Sequence, residues 1–169
     1  MKLSANMTKE LNDQIAMEAD ASNYYLSIAS WCEVTGFDGA TKFFYNHSDE
    51  ERQHMLKIIH HMNDLGVPAV IPQIKKPSKD FKSLESVFKI ALKNEQKVTA
   101  SINKMVDLAQ KQKDHSTFTF LQWFVNEQLQ EEKTFETILQ KFDLIGRDRL
   151  AINEIDKYLG TLSTASESQ

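Results

Sequence analysis

Hydrophobic side chains recur along this chain at alternating intervals of four and three residues, the spacing that places them on one face of an α-helix. The pattern predicts five helices, over 8–34, from a turn at 37–39 to about 65, 83–111, from a turn at 113–116 to about 144, and 148–159. Gly36, Gly66 and Gly146 follow three of these stretches and suit helix C-termini. The chain is therefore expected to be all-α.

The segment between the second and third predicted helices has no helical pattern. It covers about 67–83 and contains all three prolines of the chain, Pro68, Pro72 and Pro77. Extended at about 3.3 Å per residue it reaches roughly 55 Å, whereas a helix of this size is roughly 40 Å long. It can therefore span a bundle end to end, which predicts a four-helix bundle with one long crossover and a short fifth helix.

Length and composition favour one compact unit that stays in the cytoplasm. We expect a single domain over 1–162, followed by a disordered tail over 163–169. The 24 acidic and 20 basic residues leave a net charge of −4 without like-charge blocks, so neither nucleic acid nor a membrane is an expected partner. One cysteine, Cys32, excludes an internal disulfide, and no apolar signal or membrane-spanning run is present.

Each of the four long apolar stripes is interrupted near its middle by a side chain that can bind metal. The third stripe consists of Leu84, Phe88, Ala91, Glu95, Val98, Ile102, Met105 and Ala109, and the fourth of Thr117, Leu121, Phe124, Gln128, Glu131, Phe135, Ile138 and Phe142. The first stripe contains Glu18, and the second contains Glu51 and His54. Packed into one bundle, the four glutamates would lie at similar depth.

This clustering predicts a metal site, because a buried ionised carboxylate without a partner costs several kcal/mol. No Lys or Arg stands in any of the four stripes. Glu51 and His54 have the Glu-x-x-His spacing that places two ligands on one helical face. Four carboxylates and one imidazole favour iron or manganese over zinc.

A competing interpretation applies to every single residue in this set. A single glutamate at such a position is more often a solvated residue, on a helix whose inward face has been assigned wrongly, than a metal ligand. His54 taken alone would more often be a hydrogen-bonded core histidine than a ligand. A misjudged register in all four helices, always at the same depth, is much less probable. The spacing of His54 from Glu51 makes a ligand the better interpretation of this histidine. The same ordinary interpretation is kept for the remaining histidines, His47, His60, His61 and His115.

With these residues the chain resembles the bacterial non-haem ferritins, and the resemblance extends from residue 11 to residue 157. The resemblance rests most on two strings, Glu50-Glu51-Arg52-Gln53-His54 and Phe-Leu-Gln-Trp-Phe-Val-Asn-Glu-Gln over 120–128. It implies a ferritin-like bundle with a di-iron ferroxidase centre that oxidises Fe(II) with dioxygen. It also implies a shell of 24 identical chains that stores the ferric product, with the fifth helix at fourfold junctions.

The resemblance implies a role for each matching residue. One iron would be bound by Glu18, Glu51 and His54, and Glu51 would bridge to a second iron held by Glu95 and Glu131. Gln128 would lie beside the pair and orient water or dioxygen. Tyr25 matches a family tyrosine that is a candidate electron donor, although on position alone an ordinary core aromatic is the better interpretation. Trp123 matches a nearby tryptophan, which packing explains equally well.

The resemblance is imperfect at a third iron site that is common in this family. Glu50, Glu127 and Glu131 match three of its ligands, but this chain has Gln130 where a further glutamate is usual. An amide is a poorer ligand for a hard cation, so the third site should be weakened or altered. A solvated helix face explains Glu50 and Glu127 about equally well.

Related families fit the residues less well. Bacterioferritin binds haem through a methionine directly after its bridging glutamate, and this chain has Arg52 at that position. Bacterioferritin also has a second Glu-x-x-His motif, whereas in this chain Val98 stands three residues after Glu95. No haem is therefore expected. Two further alternatives are a rubrerythrin-like oxidase or peroxidase, disfavoured by the lack of Cys-x-x-Cys pairs, and a structural shell subunit that does not oxidise iron.

Overall fold

The computed structural model describes residues 3–166, with side chains described through residue 162. Within that part of the chain there are five helices and no strand, which confirms the all-α prediction. Their bounds are α1 Ala5–Thr35, α2 Asp38–Asp64, α3 Leu84–Gln112, α4 His115–Ile145 and α5 Arg149–Ser166. None of the described helices is long and apolar enough to cross a membrane.

Helices α1 and α2 form one antiparallel hairpin and α3 and α4 form another, with α1 also packed against α3. The crossover joins the two hairpins and lies along α1, where polar side chains of α1 hold its backbone. Four hydrogen bonds do this: Val70 N–H to Asn12 Oδ1 at 2.8 Å, Lys75 N–H to Asp20 Oδ1 at 3.1 Å, Asn23 Nδ2–H to the Lys75 carbonyl at 3.3 Å, and Ser27 Oγ–H to the Ser78 carbonyl at 2.7 Å. A long segment without secondary structure is thereby ordered.

The start of α2 differs from the predicted turn at 37–39, because a distant residue caps this helix. Phe37 stands at the N-cap position and provides no side-chain acceptor. The carboxylate of Asp156 in α5 instead accepts hydrogen bonds from the N–H groups of Gly39 and Ala40, at 3.1 and 2.8 Å. Helix α2 therefore begins at Asp38, since its first amide groups are satisfied by tertiary structure.

The start of α4 is decided locally. Asp114 is the N-cap residue, and its Oδ1 accepts from the Thr117 N–H at 3.1 Å. Helix α3 begins with a reciprocal capping box between Ser83 and Ser86. These local caps agree with the predicted helix starts to within two residues.

The hydrophobic core is divided into two clusters along the bundle. One is built around Phe44, Phe88 and Phe135, and the other around residues such as Ile58 and Phe124. Between them along all four long helices stand buried polar and charged side chains. The predicted metal-binding residues therefore occupy a polar layer enclosed by apolar packing at both ends.

Helix α5 packs on the end of the bundle, chiefly against α2. Ile155 and Leu159 are buried in the cluster around Phe44, whereas Leu150 is 78% exposed. The helix continues to Ser166, beyond its predicted end near 159. The tail predicted over 163–169 thus overlaps the last turn of α5, and residues 167–169 lie outside the described residues.

Candidate metal centre

The six side chains predicted to line a di-iron centre are all buried, with exposures between 1% and 7%. They are Glu18 from α1, Glu51 and His54 from α2, Glu95 from α3, and Gln128 and Glu131 from α4. Every member of the predicted third and fourth stripes is buried as well. The periodicity of the sequence thus identified the inward faces of α3 and α4.

Glu18, Glu51 and His54 form a compact group of potential ligands. One ligand atom from each lies within 4.8 Å of the others, and His54 Nδ1 is 3.2 Å from Glu51 Oε2. Ligands about 2 Å from a common ion lie roughly 3 Å apart when adjacent, so this spacing suits a shared cation. The three side chains come from facing positions of α1 and α2.

Gln14 supports this group from one turn before Glu18. Its Nε2 donates to Glu18 Oε1 at 2.7 Å, which orients the carboxylate. The second carboxylate oxygen, Oε2, is buried and has no hydrogen-bond partner among the described atoms. An unpartnered buried acceptor is costly, and a bound cation would satisfy this oxygen.

Glu95 is held on both of its carboxylate oxygens. The Tyr25 hydroxyl donates to Oε1, and Gln128 Nε2 donates to Oε2 at 3.1 Å. Gln128 Nε2 also lies 3.3 Å from the Glu95 backbone carbonyl. Tyr25 and Gln128 therefore fix the orientation of Glu95 across three helices.

Glu131 contacts a residue that the sequence interpretation did not select. Its Oε2 lies 3.3 Å from Nε2 of His47, and His47 Nδ1 lies 3.0 Å from the Phe43 carbonyl oxygen. His47, interpreted as an ordinary histidine, stands on the inward stripe of α2 one turn before Glu51. Its position on that stripe was the available signal, but only the fold reveals its partner on α4.

Burial and mutual repulsion oppose ionisation of the clustered carboxyl groups. Burial raises the pKa of Glu18 well above its usual value, and the nearby charge of Glu51 raises it further. Burial likewise raises the pKa of Glu51, as does the charge of Glu95. Burial raises the pKa of Glu95, and the charge of Glu131 raises it further. The ionised cluster therefore needs positive charge.

His47 and Glu131 are the exception, because they form an ion pair. Burial lowers the pKa of His47, but the carboxylates of Glu131 and Glu50 outweigh it and raise the value to about 9. Burial raises the pKa of Glu131, but His47 reverses this and leaves it below the usual value. None of the buried side chains described is Lys or Arg. A single imidazolium does not neutralise the remaining carboxylates.

Three openings among the described residues reach the polar layer from different sides of the bundle. One, of ≈ 510 Å³ between α3 and α4, is lined by Gln128 among others. A groove of ≈ 680 Å³ between α2 and α4 is lined by His54, Glu50 and Glu127, among others. A pocket of ≈ 370 Å³ between α1, α3 and the crossover is lined by Glu95 and Tyr24. The site is thus enclosed but accessible to small solutes.

The other residues singled out in the sequence lie at the rim. Trp123 is 38% exposed, and its ring meets the edge of His54 with centroids 5.3 Å apart. Glu50 and Glu127 are partly buried beside the groove, and burial raises the pKa of both. Gln130 is exposed, so it does not share the buried layer.

The family model for the ferritin-like domain matches residues 8–145. The chain belongs to the ferritin-like family. It is 44% identical over 162 residues to a protein of Haemophilus influenzae named a probable bacterial non-haem ferritin-like protein, covering 96% of this chain and 98% of that protein. It is 40% identical over 161 residues to the bacterial non-haem ferritin of Campylobacter jejuni, covering 95% and 96%. The resemblance to bacterial non-haem ferritins is confirmed.

Solved structures confirm the fold of this ferritin chain. A humanized archaeal ferritin superposes with a TM-score of 0.90 at 33% identity, covering 94% of this chain and 96% of that one. An open pore ferritin from Archaeoglobus fulgidus superposes with a TM-score of 0.91 at 31% identity, covering 95% and 98%. The predicted bundle with a long crossover and a short fifth helix is therefore correct.

Proposed function

We propose that this chain is an iron-storage ferritin subunit that oxidises Fe(II) with dioxygen at an intrachain di-iron ferroxidase centre. The observation that carries the proposal is the buried group of Glu18, Glu51 and His54, in which Glu18 Oε2 has no hydrogen-bond partner. Membership of the ferritin-like family supports iron as the ion and storage as its purpose.

In this proposal two Fe(II) ions are substrates bound side by side. Glu18, Glu51 and His54 would hold one ion, in line with the 3.2 Å between His54 Nδ1 and Glu51 Oε2. Glu51 would bridge to the second ion, held also by Glu95 and Glu131. The repulsion of Glu51 by Glu95, seen in its raised pKa, supports this closeness, because the same cation would neutralise both.

Tyr25 and Gln128 would act on the second ion through Glu95. Each donates to a different carboxylate oxygen, so Glu95 is presented in one orientation. The hydrogen bond from the Tyr25 hydroxyl to Glu95 Oε1 also provides an acceptor for the phenol proton. If Tyr25 supplies an electron during oxidation, the phenol proton can pass to Glu95 within the existing contact, and no free charge is left in the core.

Storage requires many copies of the chain around a cavity, and we propose a homo-oligomeric cage, expected to contain 24 chains. Apolar side chains exposed on the outer side of α1 and the crossover support self-association: Leu26, Val70, Ile71 and Ile74 are 46% to 70% exposed. Large apolar side chains exposed on an isolated chain are often covered by a partner chain in an assembly. The groove between α2 and α4 is a short path by which iron could reach or leave the centre.

The test compares aerobic Fe(II) oxidation by the wild-type protein, Glu51→Gln and Glu136→Gln. Glu51→Gln removes the bridging charge while keeping the side-chain volume, and should slow the initial formation of ferric iron at least tenfold. Glu136→Gln makes the same chemical change on the exposed face of α4 and should match the wild type. Ferric absorbance in stopped flow and particle mass by light scattering are the two readouts.

Two results would contradict the proposal. Equal initial rates of ferric iron formation in Glu51→Gln and the wild type would contradict the proposed ferroxidase centre. A monomer or dimer of the wild-type protein in solution would remove storage in a cage and would favour a soluble di-iron oxidase of the rubrerythrin kind. Folding of Glu51→Gln is checked by far-UV circular dichroism, since the substitution lies in the core.

A further inference from the structure

We propose that Tyr24 relays electrons to Tyr25 from soluble reductants in the pocket between α1, α3 and the crossover. The inference rests on the proposed function, because Tyr25 is oxidised only if the oxidation of iron draws an electron from it. Tyr25 is 1% exposed, and its hydroxyl donates to Glu95 in the polar layer. An oxidised Tyr25 is therefore out of reach of solutes, and the electron that restores it must come through a neighbouring side chain.

Four aromatic rings contact Tyr25 among the described residues, and one of them is oxidised easily enough to serve. Their centroids lie 5.8 to 6.2 Å from that of Tyr25, within the range of direct ring contact, and they belong to Tyr24, Phe44, His47 and Phe135. Benzene and imidazole rings hold their electrons too tightly to reduce a phenoxyl radical. A second phenol has a potential close to that of the first, so Tyr24 is the neighbour that can pass an electron to Tyr25.

Tyr24 is also the member of this group that reaches an opening. It is only partly buried, and it lines the pocket of ≈ 370 Å³ together with Asp20 and Lys75. Burial raises the pKa of Tyr24, so its phenol is protonated at neutral pH and must release a proton when it is oxidised. The pocket provides that proton with a route to solvent. The ring also meets Phe81 of the crossover at 6.0 Å, and because a benzene ring is not oxidised here, the relay ends at Tyr24.

The relay conserves electrons and protons. Oxidation of Tyr25 sends one electron to the centre and the phenol proton to Glu95, which leaves a neutral phenoxyl radical. Tyr24 then gives one electron to that radical, Glu95 returns the proton to Tyr25, and the proton of Tyr24 leaves through the pocket. A reductant that donates one electron and one proton, such as ascorbate, restores the phenol of Tyr24. Each turn of the relay thus consumes one reducing equivalent from solution.

The test follows the tyrosyl radical by electron paramagnetic resonance after freeze-quenching. Protein loaded with Fe(II) without oxygen is mixed with dioxygen, and ascorbate is added once the radical has formed. Tyr24→Phe keeps the ring and removes the oxidisable group, while Tyr45→Phe makes the same change on α2, where the hydroxyl donates to Glu33 at 2.8 Å. We expect the radical to persist at least fivefold longer in Tyr24→Phe than in the wild type or Tyr45→Phe, with an unchanged first round of Fe(II) oxidation.

Tyr24→Trp is the second variant, because an indole is also oxidisable and should restore decay of the radical by ascorbate. A purely structural role of the Tyr24 hydroxyl predicts no such recovery, so decay as slow as in Tyr24→Phe would count against the relay. Equal radical lifetimes in Tyr24→Phe and the wild type, or equal lengthening in Tyr45→Phe, would overturn the inference. Fe(II) oxidation without a tyrosyl radical in either the wild type or Tyr24→Phe would overturn it while leaving the proposed function intact. No Fe(II) oxidation at all would contradict both.

Discussion

Gly39→Ala is expected to destabilise this protein strongly, although Gly39 lies far from the metal centre along α2. A Cβ built on Gly39 would stand 1.8 Å from the backbone carbonyl oxygen of Asp156. Backbone atoms cannot yield as a flexible side chain does, so α5 would have to move away from α2. That movement would also lengthen both hydrogen bonds by which Asp156 caps α2.

The magnitude follows from these two losses. Forcing an extra carbon into a packed contact costs about 1–3 kcal/mol, and losing a helix N-cap costs about 1 kcal/mol. The sum, about 2–4 kcal/mol, corresponds to a thermal midpoint lower by roughly 4–16 °C for a chain of this size. Differential scanning calorimetry of the metal-free protein, treated with a chelator, measures the shift.

Gly160→Ala is the matched control for this prediction. Its Cβ would lie 3.5 Å from Gly39 Cα, which is an ordinary van der Waals contact. Alanine also has the higher helix propensity, so this variant should stay within about 1 kcal/mol of the wild type. A midpoint for Gly39→Ala within 2 °C of the wild type, on the order of the calorimeter's run-to-run scatter, would refute the close contact between α2 and α5.

Three further predictions concern the polar layer. Glu18→Gln removes a charge that burial opposes, so the chelator-treated protein should melt at a higher temperature while losing Fe(II) oxidation; a lower melting temperature would contradict this. Tyr25→Phe removes the donor to Glu95 and should slow repeated rounds of Fe(II) oxidation more than the first, as stopped flow can resolve. The pKa of His47 is raised from its ordinary 6.5 to about 9, so its ion pair with Glu131 should stabilise the chelated protein fully below pH 6.5 and fade as pH rises through 9. Melting curves of His47→Phe should lack this part of the pH dependence.

These predictions share a physical cause, because the arrangement that binds cations opposes folding in their absence. Burial raises the pKa of Glu18 and Glu51 well above the usual range, so their ionised forms destabilise the folded chain near neutral pH. A bound cation would reverse this and stabilise the fold by linkage. A rise in melting temperature on adding Zn(II), which is not oxidised, separates binding from turnover.

Much of the candidate centre was predictable because it depends on helical periodicity. Two helical stripes, read by alternating steps of four and three, identified Glu95 and Glu131 as inward-facing, and both are buried. Similar position along each stripe implied convergence. The spacing of Glu51 and His54 singled out the one histidine that lies with two carboxylates on the α1 side of the layer.

Other features of the site and fold could not be predicted from the sequence, because they depend on contacts between helices. His47 is one of five histidines in the chain, and only the packing of α2 beside α4 places it 3.3 Å from Glu131. The Asp156 cap joins residues more than a hundred positions apart.

The sequence by itself determined which residues form helices and which side of each helix faces inward, because both follow from local spacing within a few turns. Only the tertiary structure decided which side chains meet across the bundle and how each is oriented. Hydrogen bonds, ion pairs and metal ligation act over about 3 Å. A helical pattern does not specify the separation of two helices that closely, so the partners of Glu131 and Glu95 had to be found in the fold.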